Sequence, residues 1–297
     1  FTSHTFGTFP VSCAPMIKVV ADSTGDLPAE IARAMCISVV PMLVEVDGVT
    51  YRDQIDITRA DFYTGLPTFK AFPRTAATSP ETFLEQYRAA AEQGATEIIS
   101  VHIARKLSGV CASADIAAAE MAAEGVKVHV VDSGLVSIGC GWLALTAAHM
   151  AADGRPADQI LARIQSQKEQ TRTYAAADTL RYLRKGGRIN ALIGGIGEML
   201  QLRLLVELKE GVVHQIARAR SRKHLIDALI QTGRAHLPAQ LSRLAVLYTR
   251  GEGIQADIQC IQTAFADVVP ESQQFVIEVT PVIGAHFGPL AMGIVFA

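Results

Sequence analysis

The chain has 297 residues, of which 49% are hydrophobic and 19% charged, and its formal net charge at pH 7 is −2. This length predicts two domains with sizeable cores. The slightly negative charge argues against nucleic acid as the main partner, because phosphate contacts normally need a basic surface.

Five scattered cysteines contain no CxxC pair, so the sequence predicts neither a zinc site nor a disulfide framework. We therefore expect a reducing, cytoplasmic location. No apolar run reaches the roughly 18 residues of a membrane-spanning helix, so we expect no transmembrane segment. Residues 1–15 lack the basic and apolar regions of a secretory signal, and we expect them to be an upstream extension or a cloning remnant.

From residue 16 to residue 156, short apolar strands alternate with helices. The predicted strands cover 17–21, 38–51 with a turn at Asp47-Gly48, 97–103 and 126–132, and the predicted helices cover 22–35, 80–94, 108–124 and 136–154. Strands without polar alternation, separated by helices, predict a parallel sheet covered on both faces. We expect this α/β domain to span 16–156, with residues 52–80 mostly irregular.

From residue 157 to residue 297 the order of predicted helices and strands is less regular. Helices are predicted at 157–170, 179–189, 221–237 and 254–269, and strands at 173–177, at 203–220 as a hairpin around Glu210-Gly211, at 241–251, and at both ends of 273–297. Mixed strand pairing with helices on one face indicates an α+β domain. The predicted fold class is therefore α/β, with a parallel-sheet domain followed by a domain that has a mixed sheet.

The stretch "KLSGVCASA" (106–114) follows a buried strand and opens a helix. Ser108 thus lies at the carboxyl edge of the parallel sheet, where ligands bind, and the free N–H groups and dipole of the new helix favour an anion. Helix capping explains a serine here equally well. A nucleophile is less favoured, because no G-x-S-x-G motif surrounds Ser108.

Two further stretches offer polar partners. "RTAATSPETF" (74–83) places Thr75 and Ser79 before a helix, where Ser79 could cap that helix or join Ser108 around a carboxylate. "VIGAHFGPLAMG" (282–293) places His286 in a predicted loop between strands, and an imidazole with a pKa near neutrality is a possible partner for a carboxylate.

The stretch "LRYLRKGGRIN" (180–190) gathers four basic side chains around a pair of glycines. It predicts either a close approach to a ligand or an ordinary helix end with a solvated basic face. Carboxylates in "DSTGD" and "VDSG" lack a second ligand set at metal spacing, and no G-x-G-x-x-G follows the first strand, so neither a metal nor a dinucleotide cofactor is predicted.

In order along the chain, seven stretches resemble the DegV family of bacterial fatty-acid-binding proteins: "ADSTGDLP", "TAATSP", "KLSGVCASA", "VDSGLVSIGCG", "LRYLRKGGRI", "RSRK" and "HFGPLAMG". The resemblance covers about residues 17–297. It implies a two-domain protein that holds one long-chain fatty acid as its ligand and has no catalysis of its own. It also implies a partner, the catalytic subunit of a fatty acid kinase, and a role in phospholipid metabolism.

The resemblance also implies which residues hold the acid. The family positions that bind the carboxylate match Thr75, Ser108, Gly109 and His286. Three further residues are expected near the head group: Ser79, Arg188 and Gly288. The chain departs from the family pattern at several wall positions, for example with "SGVCASA" where the family has S-G-T-Y-Q-S-A, and this leaves the chain-length preference and the kinase pairing open.

Two other functions stay open from the sequence. One is a serine hydrolase or acyltransferase that uses Ser108 with His286. The other is an interaction protein whose basic segments 181–188 and 218–223 bind an acidic partner.

Overall fold

The protein is described here from a computed structural model, which describes residues 17–188, 192–193, 203–238 and 241–297. The predicted extension 1–15 and the end of the "KGGRIN" stretch lie outside the described residues. No described helix is long and apolar enough to cross a membrane.

The first part of the chain supplies thirteen of the described helices and strands. In chain order they are β1 Ile17–Asp22, α1 Ala29–Ala34, β2 Ile37–Val40, β3 Leu43–Val46, β4 Val49–Arg52, α2 Arg59–Gly65, β5 Arg74–Ala76, α3 Pro80–Glu92, β6 Glu97–His102, α4 Val110–Ala123, β7 Lys127–Asp132, α5 Ile138–Ala152 and α6 Ala157–Gln170.

The second part supplies the remaining described elements. They are β8 Arg172–Ala177, α7 Arg181–Lys185, β9 Leu192–Ile193, β10 Arg203–Lys209, β11 Val212–Ala219, α8 Arg222–Ala235, β12 Leu244–Tyr248, α9 Ile254–Ala264, β13 Phe275–Glu278, α10 Pro281–Phe287 and β14 Met292–Phe296.

Four strands form a parallel sheet in the order β2-β1-β6-β7. Side chains of β1 alternate between two cores, because successive residues of a strand point to opposite faces. Val19 packs with α5 and α6, whereas Val20 packs with α3 and α4. The sheet is therefore covered by helices on both faces, as predicted.

A small antiparallel sheet, in the order β4-β3-β5, lies beside the first one. Its hairpin turns at Asp47 and Gly48, both with positive φ, as in a type I′ turn. The expectation that residues 52–80 are mostly irregular is wrong. The capping box of Thr58 and Asp61 begins α2 there, and β5 pairs Thr75 with Val44.

The second domain is built on a seven-stranded mixed sheet in the order β13-β12-β14-β8-β10-β11-β9. Helices α8 and α9 cover one face, with Leu225 and Ile261 in its core. The other face packs against α5 and α10, where Trp142 contacts the layer formed by Leu247 and Val295. The parallel sheet and the mixed sheet confirm the predicted fold class.

Helix α6 packs against α5 of the first domain, and its Ile160 and Ile164 share a core with Leu143. The division of the chain at residue 156 stays a prediction. For the site, the relevant result is that α10 packs against β5 and α7.

Candidate functional site

A mostly apolar cavity lies at the carboxyl edge of the parallel sheet. Apolar side chains from both domains form most of its wall, among them Met42, Ile103, Val136, Leu183, Ile283 and Phe287. The polar part of the wall contains Thr75, Ser108, Gly109, Arg188 and His286.

Two of these polar residues contact each other directly. Oγ1 of Thr75 lies 2.8 Å from Nε2 of His286, and both side chains are partly buried. Thr75 is held by the pairing of β5 with β3, and His286 is held by α10. The contact therefore joins the small antiparallel sheet to the second domain.

His286 lies on a helix, and the prediction that it lies in a loop is wrong. Helix α10 begins with Pro281 at its first position, which suits the fixed φ of proline, and ends at Gly288, whose φ is +72°. Gly284 in its middle lies against the ring of Tyr63, where a Cβ would clash. The Tyr63 hydroxyl donates to the carbonyl of Val279 at 3.0 Å, so the ring fixes the start of the helix.

The imidazole of His286 is neutral at physiological pH. Burial, followed by the nearby Arg188 guanidinium, lowers the pKa of His286 to about 4. Its Nδ1 is buried and has no hydrogen-bond partner among the described residues. The backbone of Gly186 lies so close to Nδ1 that a Cβ at this position would overlap it.

Ser108 precedes α4 by two positions, so the capping position belongs to Gly109. Within the part of the chain that the structure describes, the hydroxyl of Ser108 accepts one long hydrogen bond, of 3.4 Å, from the N–H of Val110. Helix capping is therefore a weak explanation for Ser108. Its hydroxyl proton can be donated into the cavity, next to the first N–H groups of α4, which have no partners within the helix.

Arg188 ties two parts of the wall together. Its Nε donates to the carbonyl of Leu107 at 3.3 Å, and its Nη1 donates to the carbonyl of Gly186 at 2.8 Å. The guanidinium thus lies between the turn that carries Ser108 and the glycine pair that contacts His286. Arg184 and Lys185, which precede the glycines, are exposed.

Two predicted head-group residues do not line the cavity. Ser79 is exposed at the start of α3, and its hydroxyl lies 3.5 Å from Oγ1 of Thr82 without capping the helix backbone. Gly288 is buried at the end of α10, where the ring of Tyr182 occupies the space of a Cβ. The structure thus brings together Thr75, the Ser108-Gly109 turn, Arg188 and His286, but not Ser79 or Gly288.

A second, smaller cavity lies next to the first one. Val136, Ile283 and Phe287 line both cavities, and we call these three residues the neck. Beyond the neck, the wall comes from β8, β12 and β14 and is mainly apolar. Sequence reasoning missed this part, because its residues are ordinary strand residues that only the packing of α10 on the sheet brings together.

Sequence reasoning also missed a buried polar network next to the first cavity. Asp22 accepts hydrogen bonds from Thr24, which lines the cavity, and contacts Nδ1 of His102 at 3.1 Å. Nε2 of His102 lies 2.7 Å from the Ser100 hydroxyl, which accepts from Tyr87 at 2.8 Å. Ser100 and His102 are completely buried, so this Asp–His–Ser order is inaccessible to a substrate and serves to satisfy buried polar groups.

The structure thus defines an α/β protein with a parallel sheet, a mixed sheet and a mostly apolar cavity whose wall contains a few polar groups. A family model described as uncharacterised proteins of the DegV family matches residues 16–297, and the chain belongs to this family. A DegV domain-containing protein of Streptomyces coelicolor is 31% identical over 284 residues, which cover 94% of this chain and 97% of that protein. No group of metal-binding side chains is found among the described residues.

Solved structures agree with this assignment. A DegV family protein from Thermus thermophilus, described by its fatty acid binding, is 32% identical, with a TM-score of 0.83 over 94% of this chain and 98% of its own. DegV of Bacillus subtilis, described as a fatty acid binding protein, is 25% identical, with a TM-score of 0.82 over 94% of this chain and 98% of its own. The structural neighbours are therefore DegV fatty-acid-binding proteins.

Proposed function

We propose that this protein binds one long-chain fatty acid, with the carboxylate at Thr75, Ser108, Gly109 and His286. The observation that carries the proposal is the convergence of these residues, from three separate segments, at the polar end of an otherwise apolar cavity. The acyl chain runs through the neck into the second cavity. The fatty acid binding described for the Thermus thermophilus relative supports this proposal.

The physics of the cavity suits such a ligand. Burial of one methylene contributes about 0.8 kcal/mol, so about 15 methylenes contribute on the order of 12 kcal/mol before the cost of ordering the ligand. An unpaired buried carboxylate costs several kcal/mol. Hydroxyl donors and the first N–H groups of α4 offset this cost, because charge-assisted hydrogen bonds contribute about 1.5–3 kcal/mol each.

The geometry does not support a hydrolase that uses Ser108 with His286. A general base needs a partner that orients it, and such a partner usually binds its second ring nitrogen. Nε2 of His286 is paired with Thr75, and its buried Nδ1 has no partner in the described ranges of the chain. We therefore propose that the protein holds the acid without reacting with it.

Lipid content tests the binding proposal. Native mass spectrometry followed by lipid extraction should find one fatty acid per wild-type chain. Ser108→Ala should weaken binding about tenfold or more with an unchanged circular dichroism spectrum, whereas Ser79→Ala, at an exposed position outside the cavity wall, should retain the acid. A wild-type protein that neither carries nor takes up fatty acid would overturn the proposal.

We further propose that the bound acid is presented to a separate fatty acid kinase in the cytoplasm, as the family resemblance implies. The exposed Arg184 and Lys185 support this step, because they lie beside the Arg188 end of the cavity and can attract an acidic partner or shield an acyl phosphate. Reversal of both charges to Glu should reduce acyl phosphate formation by a supplied kinase subunit and leave acid binding intact. Lys127→Glu, at the opposite edge of the parallel sheet, is the matched control, and equal loss in both variants would refute the docking role.

A further inference from the structure

Ser137 has a strained backbone directly in front of α5. Its φ is +53° and its ψ is −148°, a combination that residues other than glycine rarely adopt. A serine at this position normally has an extended backbone and caps the helix with its hydroxyl. Ser137 makes no such capping bond, although it is buried. The chain thus forgoes a helix cap and accepts strain at one residue, and such residues are often found at functional sites.

The hydroxyl of Ser137 binds a carboxyl group instead. It donates to Oδ2 of Asp26 at 2.5 Å, and both residues are only 1% exposed. Oδ1 of Asp26 accepts a hydrogen bond from the N–H of Thr280 at 2.8 Å, and Arg59 donates to the same oxygen at 3.1 Å. These contacts form a buried cluster that joins the start of α5 to the start of α10.

This cluster adjoins both sides of the neck. Val136, which directly precedes Ser137, forms one side, and the other two neck residues lie on α10, which begins directly after Thr280. Ser137 holds the backbone next to Val136, and Thr280 holds the start of α10. Because both residues bind the same carboxyl group, Asp26 ties the two sides of the neck together.

We propose that Ser137, held by Asp26, is a positioning residue that fixes the neck in the shape that the acyl tail needs and so sets how strongly the protein prefers long acids to short ones. This inference rests on the proposed function, since it takes the tail to pass the neck. A wall that is ordered before the ligand arrives does not have to be ordered at the expense of binding. An acid whose tail passes the neck gains this advantage, whereas a short acid that stays in the first cavity gains little of it.

Palmitic and decanoic acid measure this preference, because the longer acid passes the neck and the shorter one stays in the first cavity. Ser137→Gly removes the hydroxyl and relieves the strain. Titration of the lipid-free variant should show that palmitic acid binds about fivefold more weakly than to the wild type, the effect of one net hydrogen bond, and that the affinity for decanoic acid changes by less than about twofold. Ser137→Ala should show the same binding pattern, although urea unfolding should find it less stable than the glycine variant, since alanine keeps the positive φ.

Thr146→Val is the matched control on the same helix. The hydroxyl of Thr146 donates to the side-chain oxygen of Gln167 at 2.7 Å, and Thr146 lies outside the walls of both cavities. This variant should keep the wild-type ratio of the two affinities.

The outcomes separate the two proposals. The inference is overturned, and fatty acid binding stands, if Ser137→Gly weakens both acids equally or leaves their ratio unchanged. It is also overturned if the losses in the two Ser137 variants follow their free energies of unfolding, since that would show a merely structural role. If the wild type binds neither acid, both proposals fail.

Discussion

Oγ1 of Thr75 and Nε2 of His286 lie 2.8 Å apart, although 211 positions separate the two residues in the chain. Because no described residue accepts a hydrogen bond from Nδ1, the imidazole proton belongs on Nε2, from which it is donated to Thr75. The hydroxyl proton of Thr75 is then free to point at a ligand. The imidazole thus orients a neutral donor, and the polar end of the cavity is complete only when both domains are joined.

The hydrogen bond from His286 to Thr75 predicts that mutations of these two residues have coupled effects. Thr75→Val should weaken fatty acid binding about tenfold, because it removes a hydroxyl that we propose binds the carboxylate. His286→Gln should weaken it by a similar factor, and the double variant should lose much less than the sum of the two free energies. Titration of lipid-free protein with a fluorescent fatty acid measures all three, and additive losses would show that the two residues act separately.

The glycine pair provides a second prediction. A Cβ at Gly186 would overlap Nδ1 of His286, whereas a Cβ at Gly187 would meet nothing within 4 Å. Gly186→Ala should therefore displace the imidazole and weaken acid binding about as much as His286→Gln. In a His286→Gln background it should have little further effect.

Gly187→Ala is the matched control. Gly187 has a φ of +75°, so alanine there should lower the free energy of unfolding by about 1 kcal/mol through backbone strain and leave acid affinity unchanged. Binding and urea unfolding of both variants check this. If the two variants weaken binding equally, the close approach of Gly186 is not what positions His286.

The first sheet was predictable because apolar strands separated by helices have few alternatives to a parallel arrangement. Helix α10 was not predictable from the sequence. A glycine such as Gly284 is typical of a loop as long as the residue that packs against it is unknown. In the structure the ring of Tyr63, 221 positions earlier, occupies the place of its side chain. The visible signal was Pro281 at the start and Gly288 at the end, which is the usual asymmetry of helix ends.

The candidate site was only partly accessible from the sequence. The turn of Ser108 and Gly109 follows from strand order, because ligands of parallel sheets bind at the carboxyl edge. The place of His286 came from the family resemblance, since no local pattern connects it to Thr75.

The low pKa of His286 predicts a dependence of stability on pH. The unfolded chain takes up this proton near pH 6.5, whereas the folded protein, with a pKa of about 4, resists it. Between these values the unfolded state binds more protons, so the contribution of His286 to the free energy of unfolding falls as the pH decreases from 6.5 to 4, by at most about 3 kcal/mol. His286→Gln should remove this fall in urea unfolding measured across the window, and an unchanged difference between variant and wild type would contradict it.

Asp26 should change the stability with pH in the direction opposite to His286. It accepts hydrogen bonds from Arg59, Ser137 and the N–H of Thr280, and burial raises its pKa from 3.8 to about 7 although Arg59 opposes the shift. Between pH 3.8 and 7 the folded state holds more protons, so the Asp26 contribution to stability falls as the pH rises, by at most about 4 kcal/mol. The free energy of unfolding of the wild type should therefore fall from pH 4 to pH 7 relative to that of Asp26→Asn. Parallel pH profiles of the two proteins would show that Asp26 is not a buried protonated carboxyl.

The neck predicts how chain length sets affinity. Val136 lines both cavities, so the larger side chain of Val136→Phe should close the passage that we propose for the tail. In the wild type each methylene beyond the neck should strengthen binding by up to about 0.8 kcal/mol, whereas in the variant the gain should stop at the length that fills the first cavity. Decanoic acid should then bind both proteins alike, while palmitic and oleic acid should bind the variant at least tenfold more weakly.

Ile116→Phe, at a position on α4 that is 53% exposed, controls for the added ring. A variant that binds palmitic acid with wild-type affinity would show that the tail leaves the first cavity by another route.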